Sequence, residues 1–256
     1  MIKTQSNKKY IFIWYAAGVA VLFIVWEMTS RLFSSALIFP GPVPVIAKFF
    51  SLMQSEKFLP ILGSTFIRVL SGMLISVPAG LAFGIAAGKD KRAGAFLSPL
   101  FSLISSTPVM SVILIAFLFL GAEKTPVFTA FLMVFPVMAA NAAEGIRRID
   151  PRFRELFLVY KMSAGERLRY LYIPSITPFI LGGIRSSLSL CWKVIVAAEV
   201  LVQPFLAIGT GMQQARAWLE TPELFAWTLV TVISAALFQG ILEIILRIFD
   251  RKRGKK

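Results

Sequence analysis

Three ionisable residues, Arg185, Lys193 and Glu199, interrupt a largely apolar stretch over residues 177–201. If the stretch is a helix, Lys193 lies about 80° from Arg185 and Glu199 about 40° to its other side, so all three share one face. Charged groups are costly inside a membrane and rarely face lipid. The pattern therefore predicts a face that points into a helix bundle or a cavity.

Two roles for these charges remain open from the sequence. Glu144 and Glu243 fall near the ends of other apolar stretches, and either could pair with Arg185 inside a bundle. Lys193 and Glu199 are roughly 9 Å apart along a helix, which makes them poor partners for each other. Lys193 could instead attract an anionic substrate at mid-depth in a membrane. The residues that we predict to line a pathway are Pro108, Arg185, Ser189, Lys193 and Glu199.

The composition removes most catalytic and metal-binding chemistry. The chain has no histidine and a single cysteine, Cys191, which excludes histidine-based triads, thiol-rich metal sites and an internal disulfide. It also lacks a glycine-rich phosphate loop of the GxxxxGK[ST] type, so it does not bind ATP by that device. We therefore expect neither an enzyme nor a cofactor in this chain.

Long apolar runs form the elements that must position these residues. The 256-residue chain is 57% hydrophobic, with a mean hydropathy of +0.77. Charge-free runs cover residues 10–26, 69–88, 93–122, 125–143 and 224–242. Each approaches or exceeds the roughly 20 residues that cross a bilayer. With residues 177–201 as a further span, the sequence predicts an all-α polytopic membrane protein with six transmembrane helices.

Small residues and a proline predict special packing in two of these runs. Gly80, Gly84 and Gly88 are spaced by four, which is typical of a stripe for close helix contact. Pro108 follows hydroxyl side chains in the middle of the third run, where it breaks a backbone hydrogen bond that those hydroxyls can replace. The resulting kink either lines a pathway or is tolerated in a buried helix.

The basic residues are distributed unevenly along the predicted topology. With six spans and a cytoplasmic N-terminus, nineteen of the 27 lysines and arginines lie on the cytoplasmic side, two lie in the span 177–201, and six, including Arg68, lie outside. This bias follows the positive-inside rule. It explains the net charge of +14 without nucleic acid, predicts that both termini are cytoplasmic, and places residues 150–178 in the cytoplasm.

Residues 150–178, called here the charged segment, form the one long polar stretch between the apolar runs. Asp150–Pro151 predicts a helix start, since aspartate accepts from free amides and proline suits the first turn. Ser163–Glu166 has the spacing of a capping box, which predicts a second short helix. Pro174 is expected to end that helix, and Thr177–Pro178 to begin the next one.

Two roles suit this segment. Its apolar residues recur at helical spacing with basic residues between them, so one side can pack while the other faces water or a partner. It could be an amphipathic connector lying on the membrane. It is, however, some thirty residues long, whereas helix connections usually take about 2–8 residues, and this favours a docking element.

The charged segment resembles the cytoplasmic "EAA" loop of binding-protein-dependent ABC importer permeases. Glu155 opens the motif, Ala164–Gly165 follows, and Ile173–Pro174 closes it. Three positions depart from the family pattern, because Leu156–Phe157 replaces two alanines and Lys161 replaces the usual glycine. The likeness covers roughly residues 60–245, and within the family the chain resembles the nitrate, sulfonate and taurine branch. The further residues that carry the likeness are Pro178, Gly183-Ile184-Arg185, Trp192, Ala198-Glu199 and Gly209-Thr210-Gly211.

The resemblance implies a permease subunit in a bacterial inner membrane. The permease domain would cover residues 60–246, after an N-terminal tail, first span and outside segment over 1–59 and before a basic tail over 247–256. The implied partners are a second permease copy in a homodimer, two ATPase subunits that bind the ATP, an outer substrate-binding protein and membrane lipid. The residues expected to couple the permease to the ATPase are Glu155, Lys161, Ser163, Ala164, Gly165, Glu166 and Pro174.

The substrate stays open between nitrate, sulfonates, taurine and thiamine precursors, which the branch includes. A stand-alone secondary transporter is the alternative function. Six spans, the absence of histidine and few mid-membrane acids argue against it. A membrane enzyme would need a constellation of catalytic groups, and the sequence contains none that we can identify.

Overall fold

A computed structural model describes the backbone of residues 3–33 and 38–253. Side chains are described over residues 13–33 and 38–246, apart from Arg154, Phe157 and Leu158. The side chains of the predicted basic tails, residues 1–9 and 247–256, therefore lie outside the described residues.

All regular structure in the described residues is helical, which agrees with the predicted fold class. The helices are α1 (Lys3–Leu32), α2 (Pro42–Met53), α3 (Phe58–Lys89), α4 (Lys91–Ser106), α5 (Val109–Arg147), α6 (Pro151–Val159), α7 (Ala164–Arg167), α8 (Ile173–Val202), α9 (Ile208–Ala217) and α10 (Thr221–Arg253). A π-helical turn, Leu168–Tyr172, joins α7 to α8.

Five helical stretches in the described residues are long and apolar enough to cross a membrane. They are Ile13–Leu32, Phe58–Lys89, Val109–Arg147, Ala164–Val202 and Thr221–Leu246. The predicted count of six spans is not confirmed, because the predicted third span is divided. Thr107 and Pro108 are extended, with ψ of 128° and 129°, so α4 ends after 16 residues and α5 begins anew. Gly121, with φ of 71°, then interrupts α5 itself.

The chain divides into two compact units. Unit one comprises residues 1–59 and 211–230, and unit two comprises residues 60–210 and 231–256. Helices α3, α9 and α10 each contribute residues to both units. Both the charged segment and the three predicted membrane charges belong to unit two.

Unit one contains an exposed ion pair between α2 and the start of α10. Lys48 Nζ lies 2.7 Å from Glu220 Oε2 and 2.9 Å from Glu223 Oε2. The hydrogen bond with Glu220 raises the pKa of Lys48, and the same bond lowers the pKa of Glu220. The rings of Phe58 and Trp227, whose centroids are 6.2 Å apart, stack within the same unit.

Close helix contact organises unit two. A Cβ atom added at Gly80 would lie 2.6 Å from Met138 Cβ, and one added at Gly88 would lie 2.8 Å from Ile146 Cβ. Gly84 meets the backbone of α5 between these two points. The predicted small-residue stripe is therefore confirmed, and α3 packs on α5 through it. Helix α8 packs along α5 as well.

Candidate functional site

The start of the charged segment follows its local sequence signals. The Asp150 side chain accepts a hydrogen bond of 2.8 Å from the Arg152 amide. Ser163 Oγ accepts from the Glu166 amide at 3.3 Å, and a carboxylate oxygen of Glu166 accepts from the Ser163 amide at 2.8 Å. This reciprocal pair is a capping box, so both predicted short helices are confirmed.

The predicted helix end at Pro174 is wrong. The π-helical turn Leu168–Tyr172 carries the chain directly from α7 into α8, and the amide of Ile173 donates to the carbonyl of Leu168. Pro174 then occupies the first turn of α8, where a proline is tolerated. Thr177 and Pro178 do not begin a new helix but lie inside α8, where the Thr177 hydroxyl donates to the carbonyl of Ile173.

The backbone conformation of Lys161 explains why the family pattern has a glycine at this position. Its φ is 50°, which is the left-handed conformation, in the turn between α6 and α7. A side chain makes this conformation cost about 1–2 kcal/mol, whereas glycine adopts it freely. Gly165 does not adopt this conformation, since it lies inside α7 with open space around it.

The end of the charged segment is packed on the rest of unit two. Leu171 is buried against Ile146 and Ile149, with Tyr172 packed beside them. The ammonium group of Lys89 lies 5.3 Å from the centre of the Tyr172 ring. These contacts fix the segment to the ends of α3 and α5.

Five large apolar side chains earlier in the segment are exposed. Phe153, Leu156, Val159, Tyr160 and Leu168 are each between 48% and 78% accessible. Glu155 and Lys161 are exposed among them. The segment thus presents an apolar and charged surface that no described residue covers, which is what a docking element for another protein requires.

Glu199 lies in a second polar site, which includes three residues that the sequence analysis did not connect to it. Arg68 Nη1 donates to Glu199 Oε1 at 3.0 Å, and Arg68 Nη2 donates to Glu123 Oε2 at 2.7 Å. Thr65 Oγ1 lies 3.0 Å from Glu199 Oε1 and 3.1 Å from Oε2. We call Thr65, Arg68, Glu123 and Glu199 the Arg68 cluster. Glu199 is fully buried and Arg68 nearly so.

The chain after α8 folds back onto the Arg68 cluster. Arg68 Nη1 donates to the carbonyl of Leu206 at 2.7 Å, and the amide of Phe205 donates to Glu123 at 2.8 Å. The amide of Ile208 donates to Thr65 Oγ1 at 3.1 Å, and that of Gly209 donates to Glu199 at 3.2 Å. The cluster therefore fixes residues 203–209 against α3, α5 and α8.

The glycines that follow are part of this packing. An added Cβ at Gly209 would lie 2.5 Å from both Glu199 Cβ and the amide nitrogen of Val200, and one at Gly211 would lie 2.7 Å from Trp227. Residues 209–211 belong to α9.

Sequence reasoning missed Arg68 because it was counted among the outside charges. Arg68 instead lies within α3 and is 7% exposed. A lone arginine at the edge of an apolar run is a signal for a buried carboxylate partner. The partner, Glu199, is 131 positions away, and periodicity within one helix does not reveal such a pair.

The other predicted pathway residues separate into three places. Arg185 pairs with Glu243 across α8 and α10, with Nε and Oε2 2.8 Å apart, which confirms one of its two predicted partners. Glu144 pairs with Arg148 on its own helix at 2.6 Å. Ser189 and Lys193 line one cavity of about 290 Å³, whereas Pro108 lies at the break between α4 and α5.

No group of three or more histidine, cysteine or acidic residues in the described part of the chain could hold a metal ion.

A comparison with known protein families identifies the family of this chain. The family model described as "Binding-protein-dependent transport system inner membrane component" matches residues 76–255. These residues include the charged segment, Glu199 and Lys193, but not Thr65 or Arg68.

Curated relatives are similar over most of the chain. SsuC of Bacillus subtilis (strain 168), named for the transport of aliphatic sulfonates, is 27% identical over 96% of this chain and 89% of its own length. The bicarbonate transport system permease protein CmpB of Synechococcus elongatus is 27% identical over 75% of this chain and 73% of its own length. The nitrate import permease protein NrtB of Synechocystis is 28% identical over 73% of this chain and 71% of its own length.

Solved structures share the fold at low sequence identity. A chain of the inward-facing MetNI methionine ABC transporter has a TM-score of 0.54 and 16% identity, and covers 73% of this chain and 92% of that chain. A chain of an amino acid ABC transporter has a TM-score of 0.54 and 19% identity, with coverage of 81% and 94%.

Proposed function

The chain belongs to the family of binding-protein-dependent transport system inner membrane components, and we propose that it is the permease subunit of an ATP-binding cassette importer for a small anion. It crosses the membrane several times and forms the substrate pathway. A separate ATPase subunit binds and hydrolyses the ATP. The chain itself contributes no catalytic group.

The exposed surface of the charged segment carries this proposal. Five of its large apolar side chains are at least 48% accessible although its end is anchored through Leu171. An exposed apolar and basic surface of this kind, attached directly to a membrane helix, is suited to a protein partner. We infer that this partner is the ATPase subunit, because an importer permease of this family works with one. The proposed docking residues are Glu155, Lys161, Ser163, Ala164, Gly165, Glu166 and Pro174.

The geometry favours direct transmission from the ATPase to the membrane. Helix α7, the π-helical turn and α8 form one helical stretch over Ala164–Val202. When two ATPase subunits close on ATP, a segment bound to them moves with them. Helix α8 moves with the segment and carries Lys193 and Glu199, so the pathway opens alternately to the two sides of the membrane.

The proposed topology has six crossings with both termini in the cytoplasm. The break at Thr107–Pro108 and the interruption at Gly121 allow residues 91–120 to make one broken crossing and residues 122–147 another. The bias of lysine and arginine toward one side supports this orientation. Residues 150–178 would then face the ATPase, and residues 203–223 the outer side.

The substrate and the other partners follow from the relatives. Three of them are named for aliphatic sulfonates, bicarbonate and nitrate, all of which are small anions. We therefore propose a small anion, with taurine or a thiamine precursor as less favoured substrates. Two copies of the chain form the pathway, most simply as a homodimer, and an outer substrate-binding protein delivers the solute.

A pair of cysteine substitutions tests orientation and docking together. Tyr160→Cys places a thiol on the charged segment, and Trp218→Cys places one in the proposed outer region; the native side chains are 73% and 80% exposed. Cys191 is buried, so the native background is low. We expect Tyr160→Cys to cross-link to the copurifying ATPase subunit. A membrane-impermeant maleimide should label only Trp218→Cys in intact spheroplasts.

Two outcomes would overturn the proposal. Labelling of Tyr160→Cys from outside the cell would reverse the topology and leave the segment out of reach of an ATPase. Uptake driven by an ion gradient in liposomes that contain this chain alone would instead show a secondary transporter.

A further inference from the structure

Three cations of unit two, Arg68, Arg185 and Lys193, differ in how they are neutralised. Arg68 is paired with Glu199 and Glu123, and Arg185 is paired with Glu243. No ion pair joins Lys193 to another residue in the part of the chain that the structure describes. Lys193 is therefore a cation without a counter-ion in a predicted membrane helix.

Lys193 faces a cavity between α8 and α10, which we call the Lys193 cavity. Its volume is about 290 Å³. Ser189 and Trp192 line it beside Lys193, and Thr231 and Gln239 line it from α10. Lys193 lies nine residues before the end of α8, or about 14 Å of helical rise, which is close to half of a hydrocarbon core about 30 Å thick.

The wall of the Lys193 cavity favours a negative ligand. No aspartate or glutamate is among its lining residues. Trp192 is 2% exposed, and its indole N–H is without a hydrogen-bond partner among the described residues. The wall thus carries an unpaired ammonium group, while Ser189 and Gln239 add a hydroxyl and an amide.

The volume limits the size of that ligand. Ligand pockets commonly measure about 300–1,000 Å³, so this one is at the lower limit. It suits a small anion with a few oxygen atoms rather than a long solute. A charge at the bilayer centre costs about 2.5–3.5 kcal/mol on insertion scales, and a lysine is retained there more readily if a bound anion neutralises it.

We propose that the Lys193 cavity is the site at which the transported anion is held partway across the membrane. Lys193 supplies the charge partner, and Ser189 and Gln239 donate hydrogen bonds to the oxygen atoms of the anion. This inference rests on the proposed function, because it assigns the substrate site of the same importer. Arg68, Arg185 and their carboxylates are internal pairs and are not part of the site.

The test compares variants of the assembled transporter, with its ATPase and binding protein, in liposomes. We expect Lys193→Gln to lower ATP-dependent uptake of ethanesulfonate, nitrate or bicarbonate at least tenfold, since a charge-assisted hydrogen bond is lost. Lys193→Arg should retain most of the uptake. Lys57→Gln makes the same charge change at an exposed position of unit one and should leave uptake unchanged.

A double variant that moves the positive charge across the cavity distinguishes a role of Lys193 in anion binding from a role in helix packing. Lys193→Gln combined with Gln239→Lys restores a cation on the opposite wall of the same cavity. We expect the double variant to recover uptake to within about threefold of the native protein, because the anion needs a cation in the cavity rather than a lysine on α8. Failure of this rescue, together with failure of Lys193→Arg, would assign Lys193 to helix packing and overturn the inference.

The remaining outcomes distinguish the inference from the proposed function. Undiminished uptake by Lys193→Gln overturns the inference and leaves the importer intact. No ATP-dependent uptake of any of the three anions by the native complex overturns both. An anionic lipid headgroup has the same chemistry as a small anion, so the assay is repeated with and without phosphatidylglycerol. A defect of Lys193→Gln seen only with that lipid would assign the cavity to a headgroup and overturn the inference.

Discussion

The Arg68 cluster and the charged segment both concentrate polar residues near an end of α8, but they use them in opposite ways. In the Arg68 cluster, Glu199 is fully buried and accepts from Thr65, Arg68 and the Gly209 amide. In the charged segment, the ionisable side chains are exposed together with large apolar ones. Roughly 45 Å of helical rise separates Arg169 from Glu199.

This difference indicates which polar residues serve the fold and which serve a partner. A fully buried carboxylate that accepts hydrogen bonds from three donors inside the chain holds residues 203–209 in place and is not accessible to a ligand. Exposed polar and apolar groups contribute little to the stability of the isolated chain and are available for binding. Four pairs of substitutions test this contrast, each applying one kind of change in or beside both regions.

The largest effect is expected from removing a paired carboxylate. Glu199→Ala leaves a nearly buried arginine with one counter-ion and should lower the free energy of unfolding by about 3 kcal/mol. Glu144→Ala breaks the exposed pair with Arg148 beside the charged segment and should cost less than about 1 kcal/mol. Thermal unfolding of the purified variants in detergent compares the two effects. Equal shifts in Tm would show that the buried pair stabilises the fold no more than the exposed pair does.

The next effect concerns two glycines. Gly209→Ala forces a Cβ to within 2.5 Å of atoms of Glu199 and Val200, and should destabilise the protein by about 2 kcal/mol. Gly165→Ala meets open space inside α7 and should stabilise that helix by about 0.5–1 kcal/mol. Opposite signs of the Tm shift support the contrast, and a stabilised Gly209→Ala would contradict it.

Two hydroxyl groups give a smaller difference. Thr65→Val leaves the buried Ile208 amide without its acceptor and should cost about 1–2 kcal/mol in global stability. Ser163→Ala removes the capping box, worth about 1 kcal/mol to its own short helix. Because that helix is exposed, hydrogen exchange should accelerate over residues 164–172 with little change in Tm. A large Tm shift in Ser163→Ala would show that the segment is part of the cooperative core.

The smallest effect is expected from glycine substitutions at two left-handed residues, and it should be the same in both regions. Lys161 and Gln203 both adopt left-handed conformations, with φ of 50° and 49°, and both are exposed. Lys161→Gly and Gln203→Gly should each stabilise the local turn by less than about 1 kcal/mol, since glycine removes the steric cost but loses more backbone entropy. Hydrogen exchange of the adjoining amides measures this. A loss of protection at either turn would show that the native side chain stabilises it.

The sequence predicted the features that depend on neighbouring residues. The capping box of Ser163 and Glu166 and the contact stripe of Gly80, Gly84 and Gly88 each require only a spacing along one helix. These local patterns correspond directly to hydrogen bonds or contacts, and the structure confirms them.

Features that depend on distant residues were not predictable in the same way. The pairing of Arg68 with Glu199 joins α3 to α8, and the role of Gly209 depends on the return of the chain onto α8. Pro174 was expected to end a helix, but a π-helical turn placed it in a first turn where no amide is needed. In the first two of these cases tertiary packing decided the outcome.

The π-helical turn also has a mechanical consequence. If Pro174 ended a helix, that point would act as a hinge and absorb displacement of the residues before it. The unbroken stretch Ala164–Val202 has 39 residues and a length of about 58 Å, so it behaves as a stiff rod. A tilt of about 5° around its midpoint would shift each end by roughly 2.5 Å in opposite directions. We therefore expect a small displacement at Ala164 to produce a displacement at the far end.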